Sequence, residues 1–442
     1  MLAFLLQLVI FEGALYDGVE FIKLGVSSAR LTITDIVVTC VYVYWFFLLL
    51  SGRLQARVFS ENKTLCVFIL TLLIPILIGF NEGNLWQTIL REARAPYYYG
   101  LSFVVASHVK DENALKKIMN TMIAVGMIFL IWGYLVYIFK IPVSTNLKHT
   151  WLKSGLTSRY FGYHSAQLLI VFCALLLVNY FFNYYHRASQ KFKAAAMILL
   201  FVVGQLLTLI RGFFLGMVSG LVISLLIQRA RIKWSVIAIG IFLTMVVSML
   251  VLTASSEMKG QLLAIPIVER YTSIIDPSVT TKLSAESGLG RYNAIKIVER
   301  KTTLFGEGYG EKTKIKYEEL IDPVQSLMSH SGPSWMLYRT GYIGTFVLSL
   351  CMILFLLQGY ISFKKSKAGK FACAAYGGAC ASLVAIYVAS VGGNIMFGSE
   401  RFSPLIAVVV GLVLSNINES KNNKQSLAVD LNQPNLKSTN YN

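Results

Sequence analysis

The chain has 442 residues, of which 55% are hydrophobic and 14% charged, and its mean hydropathy is +0.61. An ordinary soluble domain carries roughly 25% charged residues, so this composition excludes a soluble globular protein. The formal net charge of +18 invites a nucleic-acid interpretation. The basic residues lie largely in loops that flank apolar segments, where they set membrane topology and contact anionic headgroups, so no nucleic-acid partner is expected.

Apolar stretches repeat along nearly the whole chain, and each is close to the roughly 20 residues that a helix needs to cross a bilayer. The first stretch, residues 1–11, lacks a basic n-region and a small-x-small cleavage site, so we expect a retained helix. The sequence predicts an all-α polytopic membrane protein with about twelve spans. These spans are residues 2–16, 32–50, 64–80, 95–109, 118–139, 161–183, 194–210, 212–228, 234–253, 333–358, 371–392 and 402–416.

Basic loops predict the orientation. Five short loops each carry three or four Lys or Arg residues: "SGRLQARVFSENK", "KDENALKK", "YYHRASQKFK", "RARIK" and "KKSKAGK". By the positive-inside rule they are cytoplasmic, which also places both termini inside. Residues 1–253 then hold spans one to nine, 254–332 form one large external loop, and 333–416 hold spans ten to twelve. Residues 417–442 are polar and predict a disordered cytoplasmic tail.

The residue types that usually hold metals or nucleotides are not arranged for that purpose. No phosphate-binding loop, HExxH motif or carboxylate cluster occurs in the sequence. Neither a metal nor a cofactor is therefore expected. Disulfides and a cysteine-based zinc site are also not expected, because every cysteine falls within a predicted span: Cys40, Cys66, Cys173, Cys351, Cys373 and Cys380.

Several arginines lie at the predicted external boundary. Arg211 interrupts the apolar region 194–228, which is too long for one crossing, so "LTLIRGFF" predicts a tight external turn. Arg91 and Arg94 lie at the outer end of another hairpin. Charged residues near the hydrocarbon boundary are costly unless paired and mark functional sites more often than surface residues do. The alternative interpretation of these three arginines is that they are interfacial anchors.

The large loop contributes one more arginine. On a helical wheel, Arg291 shares a face with Ala294, Ile295 and Val298, so it is predicted to point at the protein. The alternative is a snorkelling arginine that pairs with a core carboxylate. Arg339 and Arg401 lie in the same region and are interpreted as structural.

His330 lies just before a predicted helix in "SHSGPSWMLYRTGYIG", where Gly332 and Pro333 match the N-cap and first helical positions. A helix N-terminus carries partial positive charge and unpaired amide donors, so it favours an anion and a neutral imidazole. A lone histidine at such a position is more often structural than catalytic. The external arginines make the catalytic interpretation worth testing.

Three motifs together resemble those of the superfamily of O-antigen ligases and O-antigen or exopolysaccharide polymerases. "LTLIRG" resembles the family's arginine turn, and "GRYNAIKIVERKTTLFGEGYG" resembles its periplasmic arginine with a GxGxG-like element. "HSGPSWMLYRTGYIG" resembles its "HNxxLxxxxxxGxxG" pattern. The predicted topology, with a large periplasmic loop between spans nine and ten, is also similar. The sequence departs from the family at Ser331, where Asn is common, and at Ile210, where Ser or Thr often precedes the arginine.

The resemblance implies a glycosyltransferase in the bacterial inner membrane, with its active site facing the periplasm and an undecaprenyl-diphosphate-linked oligosaccharide as donor. Arg211 and Arg291 are then expected to hold the diphosphate, assisted by Arg91 or Arg94, because a guanidinium binds phosphate oxygens in a bidentate fork. His330 is expected to act as general base or to orient the acceptor hydroxyl. Attack by the acceptor hydroxyl from the face opposite the leaving group inverts the anomeric centre and requires no metal.

Four aromatic residues near these motifs are candidates for stacking on sugar rings: Tyr292, Tyr309, Trp335 and Tyr338. The alternative is an interfacial aromatic belt. Polymerase and ligase differ in the acceptor, which is another lipid-linked repeat or the lipid A core, and we favour polymerase. A transporter of lipid-linked sugars is the third alternative. Membrane lipid and a chain-length regulator are the remaining partners considered.

Overall fold

A computed structural model describes residues 1–15, 20–24, 29–54, 57–139, 164–184, 187–207, 211–228, 302–310, 332–366, 371–391, 396 and 402–415. Predicted span 234–253, most of the large loop and the tail 417–442 lie outside these ranges. So do three predicted site residues: Arg291, Tyr292 and His330.

Within these ranges the chain is mostly helical, with one short hairpin, the non-helical segment 302–310 and the turns that connect the helices. The helices are α1 (Leu2–Leu15), α2 (Ile33–Leu50), α3 (Arg57–Glu61), α4 (Lys63–Asn81), α5 (Trp86–Tyr99), α6 (Leu101–His108), α7 (Glu112–Phe139), α8 (His164–Asn183), α9 (Ala188–Leu207), α10 (Arg211–Ile227), α11 (Gly332–Lys365), α12 (Phe371–Val391) and α13 (Ser403–Leu414). The hairpin, which the sequence interpretation missed, pairs β1 (Glu20–Leu24) with β2 (Ala29–Thr32) in antiparallel fashion.

Among the residues that the structure describes, six helices are long and apolar enough to cross a membrane, and three shorter apolar helices accompany them. The six are α2, α4, α7, α8, α11 and α12. These helices confirm the prediction of a helical, multi-pass membrane protein. The total of about twelve spans stays a prediction. One boundary differs clearly, because α5 begins at Trp86, well before the predicted span 95–109.

Several basic loops come together at one end of the helix bundle, which we call the basic end. Lys116, in the first turns of α7, lies 5.5 Å from the centroid of the Phe371 ring, where α12 begins. The ring of Tyr180, near the end of α8, is 4.9 Å from the same ring. The helix ends that flank the basic segments "KDENALKK", "YYHRASQKFK" and "KKSKAGK" therefore lie close together, as the positive-inside rule requires of segments on one side of a membrane.

Small residues bring α10 and α12 into close antiparallel contact. Glycines recur every fourth residue along α10, and each faces an alanine carbonyl of α12. The pairs are Gly212 with Ala389, Gly216 with Ala385, and Gly220 with Ala381, and a Cβ on these glycines would lie 3.3, 2.4 and 2.9 Å from the respective oxygens. Such small-residue faces let helix backbones approach in a membrane, so the start of α10 is held against the end of α12.

A buried polar cluster connects α8 to α10 near the basic end. The Asn179 side-chain amide donates to the Ser224 hydroxyl at 2.9 Å, and the Gln228 amide donates to Asn179 Oδ1 at 2.8 Å. All three residues are buried. Interhelical hydrogen bonds of this kind fix how far one helix is displaced along another.

Helix α11 is broken at Gly341, which has φ 67° and ψ −172°. Residues 302–310, which we call the glycine segment, fill this break. The Glu307 N–H donates to the Tyr338 carbonyl at 2.9 Å, and the Ile343 N–H donates to the Leu304 carbonyl at 3.2 Å. Backbone groups that the break removes from helical pairing are therefore hydrogen-bonded to the glycine segment, as a buried backbone requires.

The glycines of "GEGYG" are needed where the segment passes between α4 and α11. Gly306 has φ +80°, and a Cβ there would lie 2.5 Å from the Arg339 carbonyl oxygen. Gly308 has φ +71°, and its Cβ would lie 2.5 Å from the Gly79 nitrogen of α4. Both positions combine a left-handed backbone with backbone neighbours that leave no room for a side chain.

We predict that Gly306→Ala destabilises the protein much more than Gly52→Ala. Gly52 also has a positive φ of +70°, but nothing lies within 4 Å of its Cβ position. Left-handed strain costs about 1–2 kcal/mol at either site, whereas crowding adds about 1–3 kcal/mol only at Gly306. Thermal unfolding of the two variants in the same lipid or detergent measures the difference, and equal shifts in the midpoint would contradict the close packing of the segment.

Candidate functional site

A buried ion pair joins α5, α11 and the glycine segment. Arg339 Nη2 lies 2.7 Å from Glu92 Oε1, with side chains that are 9% and 16% exposed. Arg339 Nη1 also donates to the Gly308 carbonyl at 2.9 Å. The Gly310 N–H donates to Glu92 Oε2 at 3.3 Å. The two charged side chains thus bind each other and hold the glycine segment from both sides.

Each charge of the pair is stable in this buried position only because the opposite charge lies beside it. Burial raises the pKa of the Glu92 carboxyl above its ordinary value, while Arg339 and the Gly310 N–H act in the opposite direction. A buried carboxylate without its cation, or the cation without its carboxylate, carries a large desolvation penalty. The pair therefore acts as a unit and stabilises the contact between α5, α11 and the glycine segment, which we call the junction.

Aromatic side chains surround the ion pair. Tyr309 is fully buried, and its ring centroid is 5.7 Å from that of Trp335. The Arg339 guanidinium lies 5.4 Å from the centroid of the Tyr338 ring. Trp335 and Tyr338 are also buried. Three of the four predicted sugar-stacking residues thus lie in one cluster with Arg339, although their rings face protein rather than an open surface.

A second ion pair lies on another face of α5. Arg94 Nη2 is 3.5 Å from Asp35 Oδ2, and both side chains are largely buried. Asp35 lies in the first turn of α2, accepts a hydrogen bond of 2.5 Å from the Tyr98 hydroxyl, and forms a capping box with Thr32. Arg94 thus pairs with a carboxylate of the protein, whereas Arg91 is exposed.

Two predicted catalytic segments begin at the same place. Arg211 is the first residue of α10, and Gly212 beside it faces Ala389 of α12. Helix α11 starts at Gly332, where a Cβ would lie 2.8 Å from the Ser390 carbonyl oxygen. The starts of α10 and α11 therefore lie against consecutive residues in the last turn of α12, away from the basic end.

His330 precedes α11 by two residues in the sequence and lies outside the residues that the structure describes. The start of α13 lies near that of α10, since the rings of Phe213 and Phe402 are 5.7 Å apart. The starts of α10, α11 and α13 thus gather at this end, and a helix N-terminus favours an anion.

Glu92 and Asp35 are the residues that sequence reasoning missed. Glu92 is flanked by Arg91 and Arg94 in "LREAR", and Asp35 lies in the apolar run 32–50. An acidic residue in or beside a predicted span is itself a signal, because such a charge needs a partner. Arg339 was interpreted as structural, and the ion pair with Glu92 agrees with that role.

No protein-family model matches the chain, and no curated protein matches it.

We predict that Glu92→Gln lowers the free energy of unfolding by about 3 kcal/mol or more, because it leaves Arg339 buried without its carboxylate. Glu112→Gln is the matched control. Glu112 pairs with Lys116 at 2.8 Å on an exposed helix face, where such a pair contributes about 0.3–0.5 kcal/mol.

Thermal unfolding of both variants in identical lipid nanodiscs measures the two effects. If Glu92→Gln were as mild as Glu112→Gln, the ion pair would not hold the junction. A double variant, Glu92→Gln with Arg339→Met, should lose less stability than the sum of its single changes, because the two residues act on each other.

Proposed function

We propose that this protein is a membrane glycosyltransferase that joins lipid-diphosphate-linked oligosaccharide repeats, acting as a polymerase. One observation carries the proposal: α10, which begins at Arg211, and α11, which begins two residues after His330, start against the same last turn of α12. These two residues come from segments far apart in the sequence. The shared position of the two helix starts supports a site that joins a diphosphate-binding cation to a base.

The chemistry follows from the residue types. In this proposal the Arg211 guanidinium and the helix N-termini stabilise negative charge that develops on the departing lipid diphosphate. Arg291 provides a second guanidinium. His330 accepts the proton of the attacking sugar hydroxyl as the new glycosidic bond forms. Attack occurs on the side opposite the leaving group and inverts the anomeric centre.

Arg91 and Arg94 differ in how accessible they are to a phosphate group. Arg91 is exposed and is the better candidate to assist at the diphosphate. Arg94 already pairs with Asp35 at 3.5 Å, so binding a phosphate would require it to exchange partners. Tyr309, Trp335 and Tyr338 are proposed for sugar contact only if their cluster opens, because all three are buried.

Transport of lipid-linked sugar is the second candidate function. The observation that favours it is the break in α11 at Gly341 beside a buried ion pair, since broken helices and paired charges are features of transporter sites. The glycine segment, however, fills that break with hydrogen-bonded backbone. Because a transport path needs the break to stay open, we rank this function below the polymerase and the ligase.

We predict that the purified protein in vesicles converts lipid-linked repeat units into longer lipid-linked chains, and that His330→Ala lowers the rate by about 10²–10⁴-fold, the usual contribution of a general base. The measurement is the length distribution of extracted saccharides. Product that forms only when lipid A core is added would identify a ligase. Transbilayer movement of the substrate without a glycosidic product would identify a transporter.

The proposed phosphate role of Arg211 has its own test. Arg211→Lys keeps the charge but loses the bidentate fork, and we expect the same assay to show a loss of about 10²-fold or more. Arg53→Lys, an exposed substitution after α2 at the opposite end of that helix from Asp35, is the control and should retain the parent rate. Near-normal turnover of Arg211→Lys would remove Arg211 from the diphosphate site.

A further inference from the structure

A stripe of exposed apolar side chains runs along α11 beyond its break. Its members are spaced three or four residues apart, which places them on one helix face. They are Ile343, Phe346, Leu350, Ile353 and Leu357, each 44–68% exposed. Because α11 is long and apolar enough to cross a membrane, this stripe is the surface that acyl chains cover.

The glycine segment extends this stripe. Leu304 and Phe305 are 62% and 59% exposed, although both side chains are large and apolar. The Ile343 N–H donates to the Leu304 carbonyl at 3.2 Å, so the two residues lie directly beside the first member of the stripe. Exposed apolar side chains of the helix and of the segment are therefore neighbours at this hydrogen bond.

The segment also contacts α4 well inside that helix. The Tyr309 N–H donates to the Pro75 carbonyl at 2.8 Å, and Pro75 lies six residues before the end of α4 at Asn81. At 1.5 Å per residue this is roughly 9 Å from the helix end. Since α4 is itself long and apolar enough to cross a membrane, the contact lies within the apolar length of that helix rather than at its end.

Backbone at such a depth needs protein partners, and the glycine segment has them. Its carbonyls at Gly308, Tyr309 and Gly310 accept from the side chains of Arg339, Asn84 and Thr88 at 2.9–3.0 Å. The Gly310 N–H donates to Glu92. Non-helical backbone is tolerated at membrane depth only where protein satisfies its polar groups, so this pairing suits a segment within hydrocarbon.

We propose that residues 302–310 form a re-entrant segment in the leaflet away from the basic end, with Leu304 and Phe305 in contact with lipid acyl chains. The sequence alone assigns this stretch to a large external loop. The inference rests on helices that cross a membrane and is independent of the proposed glycosyl transfer.

A nitroxide attached at residue 305 tests the depth. Cys40 and Cys66, the two native cysteines that are not buried, are first changed to Ala. Phe305→Cys, Phe346→Cys and Glu82→Cys are then labelled in vesicles of phosphatidylethanolamine and phosphatidylglycerol. Collision rates with oxygen, which concentrates in hydrocarbon, are compared with those of a water-soluble nickel chelate.

The label at residue 305 should match the one at Phe346, with an oxygen-to-nickel ratio several-fold higher than at Glu82, an exposed residue that follows α4. A ratio equal to that at Glu82 would overturn the proposal. If the label perturbs the fold, Phe305→Asp and Phe305→Leu provide a second measurement. In hydrocarbon the aspartate alone lowers the thermal midpoint, whereas equal midpoints for both variants would overturn the proposal.

Discussion

The junction depends on one constraint: a backbone that leaves helical geometry inside a membrane protein must find other hydrogen-bond partners. Helix α11 breaks at Gly341, and the glycine segment binds the groups that the break exposes. Glu92 and Arg339 then fix the segment in place. Helices α4, α5 and α11 are held together through this short stretch of chain, so none of them can move without disturbing the others.

This arrangement gives the "GEGYG" element a physical explanation. Gly306 and Gly308 are needed because other backbones occupy the space where a Cβ would lie and because φ is positive at both. That requirement is structural and holds whatever reaction the protein catalyses. A glycine pattern in a loop can therefore mark a packing junction beside a site rather than a contact with phosphate.

The sequence predicted the elements whose signal is local. Continuous apolar runs identified the membrane helices, and Gly332 with Pro333 marked the start of α11. The start of α5 was not predicted, because "WQTILREAR" is amphipathic and carries too many polar and charged residues to read as part of a membrane span. The Glu92 ion pair could not be predicted, because its partners are 247 residues apart and no local pattern connects them. The convergence of Arg211 with the start of α11 depends on α12, and that contact also has no signature within either segment.

The regular glycine spacing on α10 has a mechanical consequence. A face that repeats every fourth residue would fit α12 almost as well after a displacement of one repeat, about 6 Å along the axis. Close packing alone therefore does not fix the position of Arg211 along the helix axis. The polar cluster of Asn179, Ser224 and Gln228 removes this ambiguity from the far end of the helix. Polar side chains near the basic end thus set the axial position of the first residue of α10 at the other end of the bundle, because the helix between them is rigid.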